Sequence, residues 1–407
     1  MIQCTATYLN TRMTCKKIRE RGRQMARAIL YNKRKPLVEL EIERTKVTQI
    51  YRVLDEVCLP IVLQDRLTTN TINDWLSKRM IPEKRDGMTE IRSRFSGFAN
   101  FNNMFSLSDQ YWFQFNEGET WDKLNFFTNS YAEDFGKMFF SPWEVREENL
   151  SLSTPDITTN GVLRKRWIRE ENGESYLIKA GSKFYHQEPL SEVLASITLE
   201  RLELLPFVKY ELVVDGLRLC SKCKNFVNEN TEFVPASYIY SKIPRKKDET
   251  VYKHLLLMCE KYGIANAQEY INNMITADKI IGNDDRHLGN FGFIRDVETG
   301  KIIGFAPLFD SGSAYWTKPG TAKKQRLFAD QEKEALKDAM YRMNFDSVVE
   351  HQEMFRLIDM YPEIGKRKRI EIKQSILESE QELENCRLEI EQEKSHARHK
   401  NRSEPIR

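Results

Sequence analysis

The sequence has no apolar run approaching the ~18 residues a membrane-spanning helix needs. Its longest compact one, Leu255-Leu256-Leu257-Met258-Cys259, is the size of a core segment. The N-terminus shows no apolar stretch of the signal-peptide kind. Cysteine is sparse and odd in number, 7 in 407 residues, which argues against a disulfide framework and for a reducing cytoplasm. An excess of one charge is missing too. Lys and Arg total 63 against 60 Asp and Glu, and a net +3 is too small by itself to argue for a nucleic-acid or membrane partner. Internal repeats are absent. What is there is a soluble, globular composition, 40% hydrophobic and 30% charged, in a chain long enough for two or three domains of roughly 100–200 residues each.

Residues 1–27 carry seven basic side chains and one acid, Glu20, and read as a flexible basic extension; Met25 opens the first patterned segment. Residues 28–150 read as an α+β region. Ile29-Leu30-Tyr31 and Val38–Glu43 form a hairpin whose return strand alternates apolar and acidic residues. Val47–Val57 reads as a helix, and another helix starts at Thr71 behind a Thr or Asn cap. No recognition-helix spacing supports direct nucleic-acid contact. The aromatic run Tyr111-Trp112-Phe113, with Phe115, Trp121, Phe126, Phe127 and Tyr131, is interleaved with acids that would repel phosphates, so it reads as core.

Residues 151–230 describe a small antiparallel lobe. A Ser/Thr-rich break, Ser151–Gly161, precedes a hairpin of Val162–Arg169 and Tyr176–Lys179 around Asn172-Gly173, a type I′ turn signal. A helix from Pro189 to Leu205 and strands at Tyr210–Val214 and Leu217–Cys220 follow. Residues 231–365 read as mainly helical, with Tyr252–Tyr262, Ala267–Ile281 and 331–360 as helices and a short hairpin of Phe291–Ile294 and Lys301–Phe305. In 366–407 a charge-dense helix carries Ile376, Leu383 and Ile390 seven apart. Three such positions barely reach the coiled-coil threshold, so a solvated helix packed on the body is the expectation.

The chemistry concentrates in Asn283-Asp284-Asp285-Arg286-His287-Leu288-Gly289-Asn290 and Phe309-Asp310-Ser311-Gly312. Two acids, an amide and a third acid, folded together by the intervening hairpin, suit Mg²⁺, which takes one or two carboxylates and leaves its other positions to water and phosphates. Asp285 precedes Asn290 by five, the separation of base and metal-binding Asn in a kinase catalytic loop, and Asp-x-Gly follows with Gly312 free to bend. Asp285 is thereby the acceptor of a substrate hydroxyl proton, and Asn290 and Asp310 are the metal ligands. His287 follows the Asp instead of preceding it and reads as an orienting or phosphate-near group. Lys179 ends an apolar strand, where a phosphate-binding lysine stands in kinases. Glu192, thirteen residues on, is its ion-pair partner, with Glu188 the alternative lying before Pro189 and outside the helix. The Ser151–Gly161 loop would lie over the phosphates of ATP, with Thr159, Asn160 and Gly161 contributing backbone N–H groups and hydroxyls. Cys220-Ser221-Lys222-Cys223 has no second Cys pair for zinc and no redox-type βαβ start, so its thiols read as packing groups.

Ile178-Lys179, Glu188–Glu192, Asp285–Asn290 and Leu308–Gly312 together resemble the HipA-like serine/threonine kinases, which share this pattern with phosphatidylinositol-kinase-like enzymes. The resemblance covers roughly residues 150–360. It implies a two-lobed, protein-kinase-like α+β fold with an extra N-terminal α+β region, and ATP- and Mg-dependent phosphorylation of a protein Ser or Thr. It implies a hinge for adenine at the Cys220–Cys223 stretch, and autophosphorylation in the phosphate loop, with Ser151, Ser153, Thr154, Thr158 and Thr159 as candidates. The loop departs from the family's Ser-x-x-Gly-x-Gln pattern. Some members are toxins paired with a DNA-binding antitoxin. Two other readings share these residues: a lipid or small-molecule phosphotransferase, and a non-catalytic nucleotide- or DNA-binding regulatory module.

Overall fold

The computed structural model describes residues 25–94, 103–146, 150–183, 185–315, 326–340, 342–343 and 351–402, with backbone alone for Arg94 and 393–402. Residues 1–24, most of the expected basic extension, lie outside them, as do 403–407.

Among the described residues the class is mixed α+β, built on three antiparallel sheets. The first has the order β3-β2-β1-β4, from β1 Met25–Asn32, β2 Lys35–Glu43, β3 Lys46–Val53 and β4 Tyr111–Gln114. The β1–β2 hairpin is the one its alternation predicts. The expected helix over Val47–Val57 is instead β3. Its β-branched Val47, Thr48, Ile50 and Val53 fit a pleat, and the free edge of β2 captures the segment, with Val38 opposite Val53 and Glu43 opposite Lys46. Helix α1, Thr69–Arg79, is capped by Thr68, whose hydroxyl accepts from Thr71 N–H while Thr71 Oγ1 accepts from Thr68 N–H. The aromatic run is core: Trp112 stacks between Tyr31 and Phe105, at 5.0 Å from each ring centroid.

The second sheet, order β5-β6-β8-β7, consists of β5 Lys165–Arg169, β6 Ser175–Ala180, β7 Tyr210–Asp215 and β8 Arg218–Lys224. The β5–β6 turn is not the two-residue type I′ turn that Asn172-Gly173 suggests. Glu170 N–H bonds Glu174 C=O across a three-residue loop in which Gly173 alone takes positive φ (+82°). Helix α2, Glu188–Leu202, packs across this sheet. It starts one residue earlier than expected, with Pro189 in its first turn, which places Glu188 inside the helix, where its carboxylate accepts from Ser182 N–H at 3.0 Å. Cys220 and Cys223 lie within β8, buried, their thiols pushed up to about 12 by burial, as packing groups. Their backbone is paired with β6 on one side and β7 on the other. That pairing leaves no free edge for adenine, so the hinge implied at Cys220–Cys223 is not there.

The third sheet, order β11-β10-β9, joins β9 Thr231–Pro235, which the sequence reading missed, to β10 Gly292–Asp296 and β11 Ile302–Phe305. One core joins it to α3 Val251–Lys261, α4 Ala267–Ile280 and α5 Glu332–Met340, whereas α6 Gln352–Met360 packs on α2 and on α7 Lys366–Arg402. Ile376, Leu383 and Ile390 of α7 are all buried, so this helix does pack on the body. Of the expected 331–360 helix, residues 344–350 lie outside the described ones.

The N-terminal region is bolted to the rest. Arg295 of β10 is wholly buried and reaches back to Leu59 O (3.1 Å), Val57 O (3.1 Å), Tyr111 Oη (3.0 Å) and Glu232 (2.8 Å). A second seam joins Phe135, Phe139 and Phe140 to Ile178, Ala180 and Cys220 on the small sheet.

Candidate active site

Lys179 is the centre of the site. It stands near the end of β6, buried, and its ammonium donates to Glu192 Oε1 at 2.7 Å, Asp310 Oδ1 at 3.0 Å and Tyr210 Oη at 3.2 Å. Glu192 is held in turn by the hydroxyl of Ser221 on β8. Three elements far apart in sequence thus meet at one nitrogen. Burial alone would strip a lysine of its proton, but the carboxylates of Asp310 and Glu192 outweigh it and hold Lys179 well above its ordinary value. The facing ammonium groups, Lys179 first, hold Asp310 far below the carboxylate range. Asp310 sits at φ +60°, a left-handed conformation uncommon for a residue with a side chain, and its own N–H donates to Tyr210 Oη.

The loop Asp285–Asn290 is folded on itself. Asn290 Nδ2 donates to Asp285 C=O at 3.0 Å, and Asn290 Oδ1 accepts from His287 N–H at 3.0 Å. Arg286 ties the loop to its surroundings. Buried, it forms a two-point bond to Asp278 of α4 (2.8 and 2.9 Å), and its remaining nitrogen donates to Asn290 C=O (2.9 Å) and Phe309 C=O (2.8 Å). One guanidinium nitrogen therefore holds the residue expected to ligate metal and the peptide next to Asp310. Through it the 285–290 loop is tied to the backbone beside Asp310, whose carboxylate Lys179 holds. His287 turns outward: its ring is exposed, with Nδ1 accepting from Gly289 N–H at 3.0 Å.

Of the Ser151–Gly161 loop, Thr154 and Thr158 are buried. Thr158 donates to Phe105 C=O at 2.8 Å, and Thr159 donates to Pro155 C=O at 2.8 Å while accepting from Trp167 Nε1. The hydroxyls expected to face phosphate thus bind the protein; Asn160 is exposed, and Gly161 N–H bonds the Asn160 side chain. Gly161 (φ +105°) lies against Lys165: a Cβ there would come within 2.2 Å of Lys165 Nζ.

Lys165, missed from the sequence, is the second cation of the site. In the β5–β6 register it is directly opposite Lys179. Like charges so placed cost stability, a local conflict expected at a functional position. Burial, reinforced by Lys179, pushes it down to about 7. The two-residue turn expected at Asn172-Gly173 would have set Arg166 opposite Lys179; the observed three-residue loop shifts the register by one and puts Lys165 there. Tyr210, Ser221, Asp278 and Arg286 were also missed as partners, since only the packed structure assembles them.

Among the described residues no group of three or more His, Cys, Asp and Glu side chains stands where it could hold a metal. The residues that could hold Mg²⁺ are fewer: the half-exposed carboxylate of Asp310 and the amide oxygen of Asn290 are the hard oxygens such an ion takes, leaving its other positions to phosphates and water. Among the described residues no helix is long and apolar enough to cross a membrane.

No protein-family model matches the sequence, and no curated protein matches it. Solved structures do. The Helicobacter pylori proinflammatory kinase CtkA is similar over 56% of this chain and 94% of its own, at 18% identity and a TM-score of 0.46. HipA of the Shewanella oneidensis MR-1 toxin–antitoxin system, solved with HipB and operator DNA, is similar over 88% of this chain and 97% of its own, at 13% identity and a TM-score of 0.54. Nearly the whole described chain, its N-terminal region included, has a HipA-like kinase fold.

Proposed function

We propose that this protein is an ATP- and Mg-dependent kinase that phosphorylates Ser or Thr of a protein. The observation that carries the reading is the Lys179 ammonium held between Glu192 and Asp310, beside a catalytic loop anchored by Arg286. Phosphoryl transfer is mostly positioning and charge neutralisation. Lys179 and Lys165 supply fixed positive charge for phosphate oxygens, and Glu192 keeps Lys179 in place. Asp310 and Asn290 would hold the Mg²⁺, and Asp285 accepts the proton of the attacking hydroxyl. Bound Mg-ATP supplies the phosphoryl group and neutralises part of its charge.

In this reading self-phosphorylation of the 151–161 loop falls to Ser151 or Ser153. Thr154, Thr158 and Thr159 donate their hydroxyl protons within the protein, whereas Ser153 is exposed and Ser151 half-buried. A DNA-binding, antitoxin-like partner belongs to the proposal by likeness to the HipB-bound structure alone.

The test is ATP consumption with Mg²⁺ by the wild type and by Asp285→Asn. Losing the proton acceptor should lower kcat by about 10²–10⁴-fold, with nucleotide binding kept. Equal rates in the two proteins would remove the assignment.

A further inference from the structure

The candidate nucleotide loop is gripped from below by a segment of the N-terminal region, Ile81–Gly87. Ile81 N–H donates to Ile157 C=O at 3.0 Å, Asp86 N–H donates to Val162 C=O at 2.8 Å, and Asp86 accepts from Arg164 Nε at 3.2 Å. Between them Arg85, only 2% exposed, donates Nε to Gly161 C=O at 3.0 Å and Nη2 to Thr159 C=O. A buried arginine is usually matched to a carboxylate. This one makes no ion pair among the described residues, binds two loop carbonyls, and leaves Nη1 without a partner. In a trans peptide the N–H points opposite to the C=O. Drawing the carbonyls of Thr159 and Gly161 onto Arg85 therefore turns the N–H groups of Asn160 and Val162 the other way. Neither has a hydrogen-bond partner among the described residues, and Lys165 Nζ lies at the Gly161 between them.

We propose that Arg85 is a positioning residue: it aims the Asn160 and Val162 amides, together with Lys165, at the phosphates of the nucleotide. The kinase site is then completed by the N-terminal region. The idea rests on the kinase reading for the identity of its ligand.

The test uses the full chain and amide hydrogen exchange across residues 157–164, with inorganic tripolyphosphate and Mg²⁺ as the probe. In the wild type the probe should slow exchange at Asn160 and Val162. Arg85→Lys, which keeps the charge but cannot bridge two carbonyls, should leave the already unbonded amides exchanging as in the wild type without the probe and weaken protection by it about tenfold. It should raise the KM for ATP by a similar factor, with kcat within about threefold. Asn160→Pro deletes one of the two donors and leaves Arg85 untouched. Thr159 is extended (φ −103°, ψ 114°), the conformation favoured before a proline; this variant should also lose protection about tenfold. The proposal is overturned if the probe leaves the wild-type loop unprotected, or if Arg85→Lys protects like wild type. Protection that depends on Arg85 in a chain that turns over no ATP would sink the kinase reading and keep this one.

Discussion

Arg286 is the residue whose loss tests the site most directly. In Arg286→Met the buried carboxylate of Asp278 loses its two-point partner and keeps only Asn283 Nδ2, at 2.9 Å. The carbonyls of Asn290 and Phe309 lose their shared donor at the same time. Breaking a buried ion pair costs about 3–5 kcal/mol, a large part of the 5–15 kcal/mol typical of a folded domain. At about 2 °C per kcal/mol for a large domain, thermal unfolding should move down by roughly 8 °C. Arg286→Lys keeps a charge beside Asp278 but cannot reach both carbonyls, so it should recover about half of that shift and little of the activity. Calorimetry gives the first quantity. Steady-state kinetics well below the unfolding temperature, where the variants are still folded, gives the second. If Arg286→Lys restores kcat as well as stability, the shared grip on Asn290 and Phe309 does not position the site, and the argument fails.

Lys165 supplies a pH prediction. Its folded value, about 7, lies below the ordinary 10.5. The folded state therefore disfavours the ammonium form; the cost is full below about pH 7 and fades as pH rises toward the ordinary value. A polyphosphate reverses the preference, so ATP binding should take up about 0.8 proton at pH 7.5 and about 0.1 at pH 6. Titration calorimetry in buffers of different ionisation enthalpy measures this, and an uptake unchanged in Lys165→Met would refute it. For self-phosphorylation, peptide mapping by mass spectrometry after incubation with Mg-ATP should find phosphate on Ser151 or Ser153. Phosphate on buried Thr154 or Thr158, or none in the loop, counts against that assignment.

Much of the site is local and was legible. Asp285 and Asn290 lie within one loop, and Asp310 follows one hairpin later, so spacing alone carries their association. Lys179 and Glu192 are joined by a strand followed directly by a helix. Failures occurred where local signals were degenerate. Val47–Val53 has apolar residues that suit either period, and the free edge of β2 decided for a strand. Asn172-Gly173 marks a turn, but strand register chose its length. Glu188 enters α2 because proline is tolerated in a first helical turn.

Local spacing sets which chemistry is available: the acids, amide and lysines stand at separations that short-range folding brings together. Long-range packing sets what surrounds them. The joining of Lys179 to Asp310 across 131 residues, the grip of Arg286 on Phe309, and the reach of Arg85 from 76 residues upstream of Gly161 depend on contacts that close long loops. Such closure is decided by the packing of whole faces, which no short window of residues encodes.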